Sequence, residues 1–392
     1  MTRMFSRFSA FCRCLLATAT ATATATVLFG VAGMAVAEEQ GAEYRLLLAT
    51  VNERLVPAHQ RLYDQSKLLN SAAKGFCEKP GNASLKATRE TWLQAMLAWQ
   101  ALSMIDFGPV ETTNARFLFQ FWPDPLNLVE RKLATRIAGK NPAISPEQLA
   151  QASVAVQGLS AMEYLLFDEA IAKVRRYAGH KHLCRILTAT AANLEANAGQ
   201  LNRLWADFGK RYVSPELEKS HPGYFVTNVE KLFSSLITSL ETIKNRKLGA
   251  ALGIAPVLPS AIPGEETSPA AKSRAANAFL LEGWRSRTSL RQIRANLQSG
   301  LGLYEMPHGF GWYMTQQSPE SGALDRQIRA DYAAAIAQID ALDHSAFELL
   351  QRNQPEALMR LHDTVGRLSQ RLQLDYAKAA QLDYTFNARD GD

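Results

Sequence analysis

The stretch VAVQGLSAMEYLLF, residues 154–167, is an apolar run carrying three groups able to bind or react: Gln157, Ser160 and Glu163. Treated as one helix turning about 100° per residue, it sets Glu163 between Val156 and Leu159, with Ser160 about 60° away on the same face. Glu163 is then inside the arc meant for burial. A carboxylate there needs a cation, several hydrogen-bond donors or a proton, because a bare buried charge costs too much. Gly158 leaves space for another backbone, or a ligand, to approach. Two readings meet these demands. One is a structural ion pair across a bundle core, with Arg116 or Arg287 as partner and Gln157 completing the network. The other is a ligand or metal site built around Glu163, although one glutamate and one serine are a poor metal site on their own.

Other reactive groups are scattered. His180, His182 and Cys184 lie close together in GHKHLC, and residues 180 and 184 would share a helix face. His308 sits with Glu305, Trp312 and Tyr313 in a glycine- and aromatic-rich stretch that could cover a cleft. Cys77 and Cys184 are a candidate disulfide in an oxidising compartment. The chain has no His-Glu-x-x-His pair, glycine-rich phosphate fingerprint or serine elbow. Its charges are interspersed, without a Lys/Arg block among aromatics, which argues against nucleic acid as a partner.

These residues need elements to position them. Residues 1–37 read as a secretory signal peptide: Arg3, Arg7 and Arg13 precede an apolar Ala/Thr-rich stretch that ends in Ala35-Val36-Ala37. Removing 37 residues from 392 leaves 355, and losing the three arginines lowers the formal charge from +6 to +3. The expected product is exported to the periplasm or cell envelope and is soluble after cleavage rather than lipid-anchored. Apolar spacing predicts helices over about 43–70, 84–107, 111–121, 145–174, 180–212, 224–248, 271–299, 322–350 and 354–378. Ser145-Pro146-Glu147-Gln148 is a helix-start signal, and Asp124 can cap the helix after FWPDP. Residues 249–270 read as a linker or crossover loop, and 300–320 as a loop. The expectation is an all-α chain of two helical-bundle domains, 38–220 and 221–392, packed with an interdomain cleft.

The order of several stretches is recognisable. WLQAMLAWQ at 92–100, FGP at 107–109, FWPDP at 121–125 and VAVQGL at 154–159 are followed by Leu165-Leu166-Phe167. Trp284-Arg285-Ser286, Ser289-Leu290, IRANL at 293–297 and DYTFNARDGD at 383–392 complete the series. In these the chain resembles the imelysin family of bacterial envelope proteins. The resemblance implies a two-domain helical fold, a site between the domains, and an association with iron or haem uptake through an outer-membrane or envelope partner. Relatives include the periplasmic component of a ferrous-iron uptake system, and the family name comes from a proposed metallopeptidase activity. The family motif Gly-x-His-x-x-Glu falls on Gly158, Ser160 and Glu163, so serine stands where the family has histidine. Imidazole is a strong ligand for iron or zinc and a neutral hydroxyl a weak one, so the substitution weakens any metal site. The resulting expectation is a non-catalytic binding or accessory protein holding a metal or small polar ligand near Glu163. A metal-dependent peptidase and an envelope scaffold are the alternatives.

Overall fold

Helix follows helix through residues 41–139, 144–179, 181–255 and 275–383, which the computed structural model describes. The expected signal segment, His180, most of the 249–270 stretch and residues 384–392 lie outside the described residues. Nine helices carry the argument: α1 Ala42–Ala49, α2 Val56–Glu78, α3 Asn82–Gln100, α4 Gly158–Phe167, α5 Lys181–Tyr212, α6 Tyr224–Glu241, α7 Ser289–Glu305, α8 Gly322–Asp340 and α9 Glu356–Arg371. Among the described residues every regular element is helical, and none is long and apolar enough to cross a membrane.

The chain forms two packed helical regions. In the first, α2 lies between α3 and α5, and α4 packs against α3 and α5. In the second, α8 packs against α7 and α9, while α9 also meets α6 and its extension. That extension is a π-helical segment, Thr242–Gly249, continuing α6 without a break. α1 joins the second region: it packs on α6 and on the short helix Phe310–Gln317, and Tyr313 Oη donates to Glu43 Oε1 at 3.0 Å. The regions meet where α7 packs against α3.

Local signals explain several boundaries. Ser145 and Gln148 form a reciprocal capping box, with bonds of 3.2 and 3.0 Å between side chain and backbone. Asp124 receives the amides of Leu128 and Val129 at 2.7 and 2.9 Å, satisfying orphan donors at the start of helix Leu128–Ala138. Several segments differ from the sequence expectation, and the predicted helices 111–121 and 322–350 are each broken in two, into Pro109–Thr112 with Ala115–Phe119 and Gly322–Asp340 with Ala346–Gln351. The predicted helix 145–174 is split into Pro146–Ala150, a 3-10 turn at Val154–Val156, and α4. The predicted helix 271–299 starts only at Ser289, after an irregular stretch. The expected loop 300–320 is instead the end of α7 and helix Phe310–Gln317, because its Gly and aromatic residues pack rather than wander.

Cys77, near the end of α2, is disulfide-bonded to Cys184 in the first turn of α5, across 107 residues of sequence. Closing so long a loop removes freedom from the unfolded chain, worth roughly 4–5 kcal/mol in the chain-entropy limit. A Cys77→Ser/Cys184→Ser variant is therefore expected to unfold at clearly lower denaturant. Equal midpoints for the variant and the oxidised parent would contradict this.

Candidate functional site

α4 is buried nearly all round, with Leu159, Ala161, Met162, Leu165 and Leu166 wholly enclosed. Its carbonyl ends are satisfied from outside: Arg89 Nε donates to the oxygen of Leu166 at 2.7 Å and Tyr177 Oη to that of Leu165 at 2.7 Å. Gly158 opens the helix with φ of +66°, and a Cβ there would strike the backbone of Leu118 and Phe119. Glycine is thus required twice, by conformation and by close approach. This break places Val156 and Gln157 before the helix rather than on it. Gln157 accordingly serves the fold: its amide donates to the oxygen of Ala152 at 2.8 Å and accepts from Asn193 at 3.0 Å. Ser160 Oγ donates to the oxygen of Phe121 at 3.2 Å, pinning the FWPDP turn against α4.

Glu163, 8 % exposed, projects from α4 toward the other region. There the chain turns sharply at Gly283, whose φ is +65° and whose missing Cβ leaves room for Gln292 and Thr288. The turn presents Ser286, whose backbone amide and hydroxyl donate to Glu163 Oε1 at 2.9 and 2.8 Å. Oε2 takes no hydrogen bond from the described residues, and the Glu163 side chain forms part of a cavity wall. Burial pushes the Glu163 carboxyl above its ordinary range. The Ser286 bonds and the nearby Arg285 charge pull the other way, and Glu282 adds to the rise.

The cavity lies between α4, the FWPDP turn and the 279–285 stretch, and offers about 60 Å³ to the centres of water-sized molecules. Ser160, Trp122, Arg246, Trp284 and Arg285 line it with Glu163. Phe279, also in its wall, is 55 % exposed and packs edge-on to Trp284, with centroids 4.9 Å apart. Arg285 crosses between regions: it pairs with Glu130 at 2.6 Å and Asp168 at 3.4 Å while its guanidinium lies 4.1 Å over Trp284. The site is polar, contains a glutamate, and is built from both halves of the chain.

The other candidates lie elsewhere. Arg287 pairs with Glu348 at 3.1 Å, and Arg116 lines a second, adjoining cavity. Neither supplies the counter-charge to Glu163, which Ser286 meets with neutral donors instead. Glu305 lies 3.7 Å from Arg329, and His308 packs edge-on against Trp312; none of the three lines either cavity. His182 bonds the oxygen of Arg136, and Cys184 is held in the disulfide, so it offers no thiolate to a metal. Trp122, which the sequence suggests as a structural anchor, lines the cavity, and the residues without a sequence signal for this site are Arg246 and the Ser286 turn. Trp284-Arg285-Ser286 carries part of the family resemblance, but no periodicity marks where such a turn will dock.

The imelysin profile matches residues 55–374. The chain belongs to the imelysin family. A crystal structure of an imelysin-like protein from Psychrobacter arcticum 273-4 shares the fold at TM-score 0.72 and 20 % identity, covering 89 % of this chain and 99 % of that one. A candidate iron-regulated protein A precursor from Parabacteroides distasonis ATCC 8503 follows at TM-score 0.59 and 14 % identity, covering 84 % and 95 %. No curated protein matches significantly.

A metal of the kind implied for an imelysin motif does not fit the donors here. Glu163 has one oxygen committed to Ser286, Ser160 spends its proton on Phe121, and Asp124 is occupied by two amides. No His or Cys lines the cavity, and among the described residues no cluster of three or more His, Cys, Asp or Glu is placed to hold an ion.

Two outcomes follow from this geometry. Because the folded carboxyl of Glu163 titrates above its ordinary 4.5, the native state keeps a proton that the unfolded chain has released. Stability therefore falls as pH rises from 4.5 through the folded value, then levels off. Glu163→Gln, which can still accept from Ser286, should flatten that decline, read as urea midpoints between pH 4 and 8; identical slopes in both proteins would refute it. Gly158→Ala should destabilise by more than about 1–3 kcal/mol through backbone strain and collision, measured by denaturant unfolding.

Proposed function

We propose that this imelysin-family protein is a non-catalytic binding or accessory protein of the cell envelope, which holds a small polar ligand in the cavity beside Glu163. The observation that carries the reading is the state of the Glu163 carboxylate. One oxygen is fixed by two donors from the opposite region, while the other has no partner among the described residues and belongs to a cavity wall. An acceptor open to the cavity in this way can be met by a donor from outside the chain, whether an ammonium, an amide or a hydroxyl. Trp122 and Trp284 add apolar walls that would favour a ligand with a flat or aliphatic body.

Export rests on the basic start and the Ala35-Val36-Ala37 ending of the first 37 residues. An iron- or haem-uptake setting draws support from the resemblance to envelope iron proteins and from the naming of the Parabacteroides distasonis protein as iron-regulated. In that setting the protein would act through its ligand or an envelope partner rather than by cutting peptides, since the donor set lacks what a metallopeptidase needs.

Calorimetric titration of the metal-free protein, in parallel with Glu163→Ala, tests the reading. The titrants are small amines and amides, then ferrous, ferric and zinc ions. Binding of a donor-bearing organic molecule that weakens about tenfold or more in Glu163→Ala is expected, with metal ions no tighter than background. If no organic titrant binds and the substitution merely lowers the melting temperature, the protein is better described as a scaffold. Tight, Glu163-dependent metal binding would restore the metal reading.

A further inference from the structure

Behind the partition formed by Gln120, Trp122, Pro123 and Arg246 lies a second cavity, also of about 60 Å³ for the centres of water-sized molecules. That is several times the space one water requires, about 10–15 Å³. Its charged lining is one-sided. Arg116, Arg246 and Lys247 face a single carboxylate, Glu282, and Lys247 and Glu282 already neutralise each other at 2.6 Å. Both arginines have further interactions of their own, yet both residues line the space, and their charges bias its potential toward anions.

A second observation is independent of charge. Thr238, Ser239 and Thr242 line the same cavity, and none of their hydroxyls has a hydrogen-bond partner among the described residues. Several helical hydroxyls in this chain return to the preceding turn, as Ser66 does to Leu62, Thr88 to Ser84, Thr190 to Ile186 and Ser235 to Lys231. The hydroxyls of Thr238, Ser239 and Thr242, on one continuous helix at the wall of a cationic cavity, are free to donate to an acceptor held there. The π-helical segment that starts at Thr242 also carries Arg246 and Lys247, so hydroxyls and cations reach the cavity from one continuous helix. Burial lowers the Lys247 ammonium pKa, Glu282 restores part of the loss and Arg116 lowers it further; an anion held among these groups would offset the last effect.

We infer that this second cavity is an oxyanion site, taking the carboxylate or phosphate group of a small molecule through Arg116, Arg246 and the hydroxyls of Thr238, Ser239 and Thr242. It adjoins the Glu163 cavity and shares Arg246 with it, while Arg116, Thr238, Ser239 and Thr242 line the second cavity and not the first. Guanidinium groups and hydroxyls suit a group with several acceptor oxygens better than a halide, which accepts without fixed directions.

The test is calorimetric titration of the whole protein, in chloride buffer at neutral pH, with inorganic phosphate and separately with succinate. Saturable binding of either one is expected, and which of the two binds assigns the phosphate or the carboxylate source. Arg116→Gln and Thr242→Val, each first shown to keep the helical circular-dichroism spectrum and a cooperative melt, should weaken it, the arginine variant by about tenfold. Arg287→Gln removes the same charge from the exposed ion pair with Glu348, outside both cavities, and should bind as the parent does. The proposal is overturned if neither anion binds the parent, or if the folded Arg116→Gln and Thr242→Val proteins bind undiminished. It is equally overturned if Arg287→Gln loses as much as Arg116→Gln, since the effect would then be one of general charge.

Discussion

Lys247 and Glu282 meet 2.6 Å apart with side chains only 5 % and 4 % exposed, and the junction of the two helical regions is organised around that pair. Removing two charges from water costs several kcal/mol per ion, and attraction alone repays it only when the remaining donors and acceptors are also met. Here they are. The ammonium has three protons and three oxygens within reach: Glu282, Gln100 at 2.8 Å and Asn296 at 2.7 Å. Glu282 Oε1 in turn accepts from Gln100 at 3.2 Å and Gln120 at 3.0 Å, while Trp99 donates to Gln120 at 3.0 Å. Such a network tolerates one relative placement of its members. It therefore sets the register between α3, the Thr242–Gly249 segment and α7 more sharply than apolar packing could.

The Glu163 site inherits that register. Glu282 is followed at once by Gly283, so the residue clamped by Lys247 begins the turn whose far side presents Ser286 to Glu163. Ser289 Oγ donates back to the Glu282 carbonyl, closing the turn on itself before α7 starts. One short irregular stretch thus carries a carboxylate into one polar centre and two donors into another. Disturbing either end should be felt at the other. The two centres hold opposite buried charges, a carboxylate whose pKa rises and an ammonium whose pKa falls, both because burial disfavours ions. The paired cavities on either side of the Trp122–Pro123 wall follow from that arrangement: one opens on an acceptor, the other on cations and hydroxyls.

Much of the helical content was legible from apolar spacing, and some boundaries from chemistry. The Ser145–Gln148 box and the Asp124 cap were readable because capping is settled within a few residues of sequence. The break before α4 was not. Val154 to Phe167 keeps its apolar character across a 3-10 turn and a left-handed glycine, and periodicity cannot see that Gly158 must lie against the backbone of residues 118 and 119. The stretch before Ser289 misled for the same reason: its Leu and Trp residues are spaced as a helix would space them, yet they line a cavity and an interface. The expectation that Arg116 or Arg287 would answer Glu163 gave way to Ser286 and the neighbouring Arg285, although a buried carboxylate was correctly seen to need donors.

From the sequence alone follow the all-helical class, the family, Glu163 as a carboxylate in a place meant for burial, and Ser160 as the weak point of a metal motif. Each depends on residue type or on spacing within a turn or two, and local geometry settles such matters. Which donor meets Glu163, where Lys247 finds its carboxylate, and that two cavities of opposite character share one wall were decided by tertiary structure. Those contacts join residues far apart in sequence, 123 positions for Glu163 and Ser286, and the cost of leaving a buried polar group unpaired, not any local preference, selects the fold in which they meet.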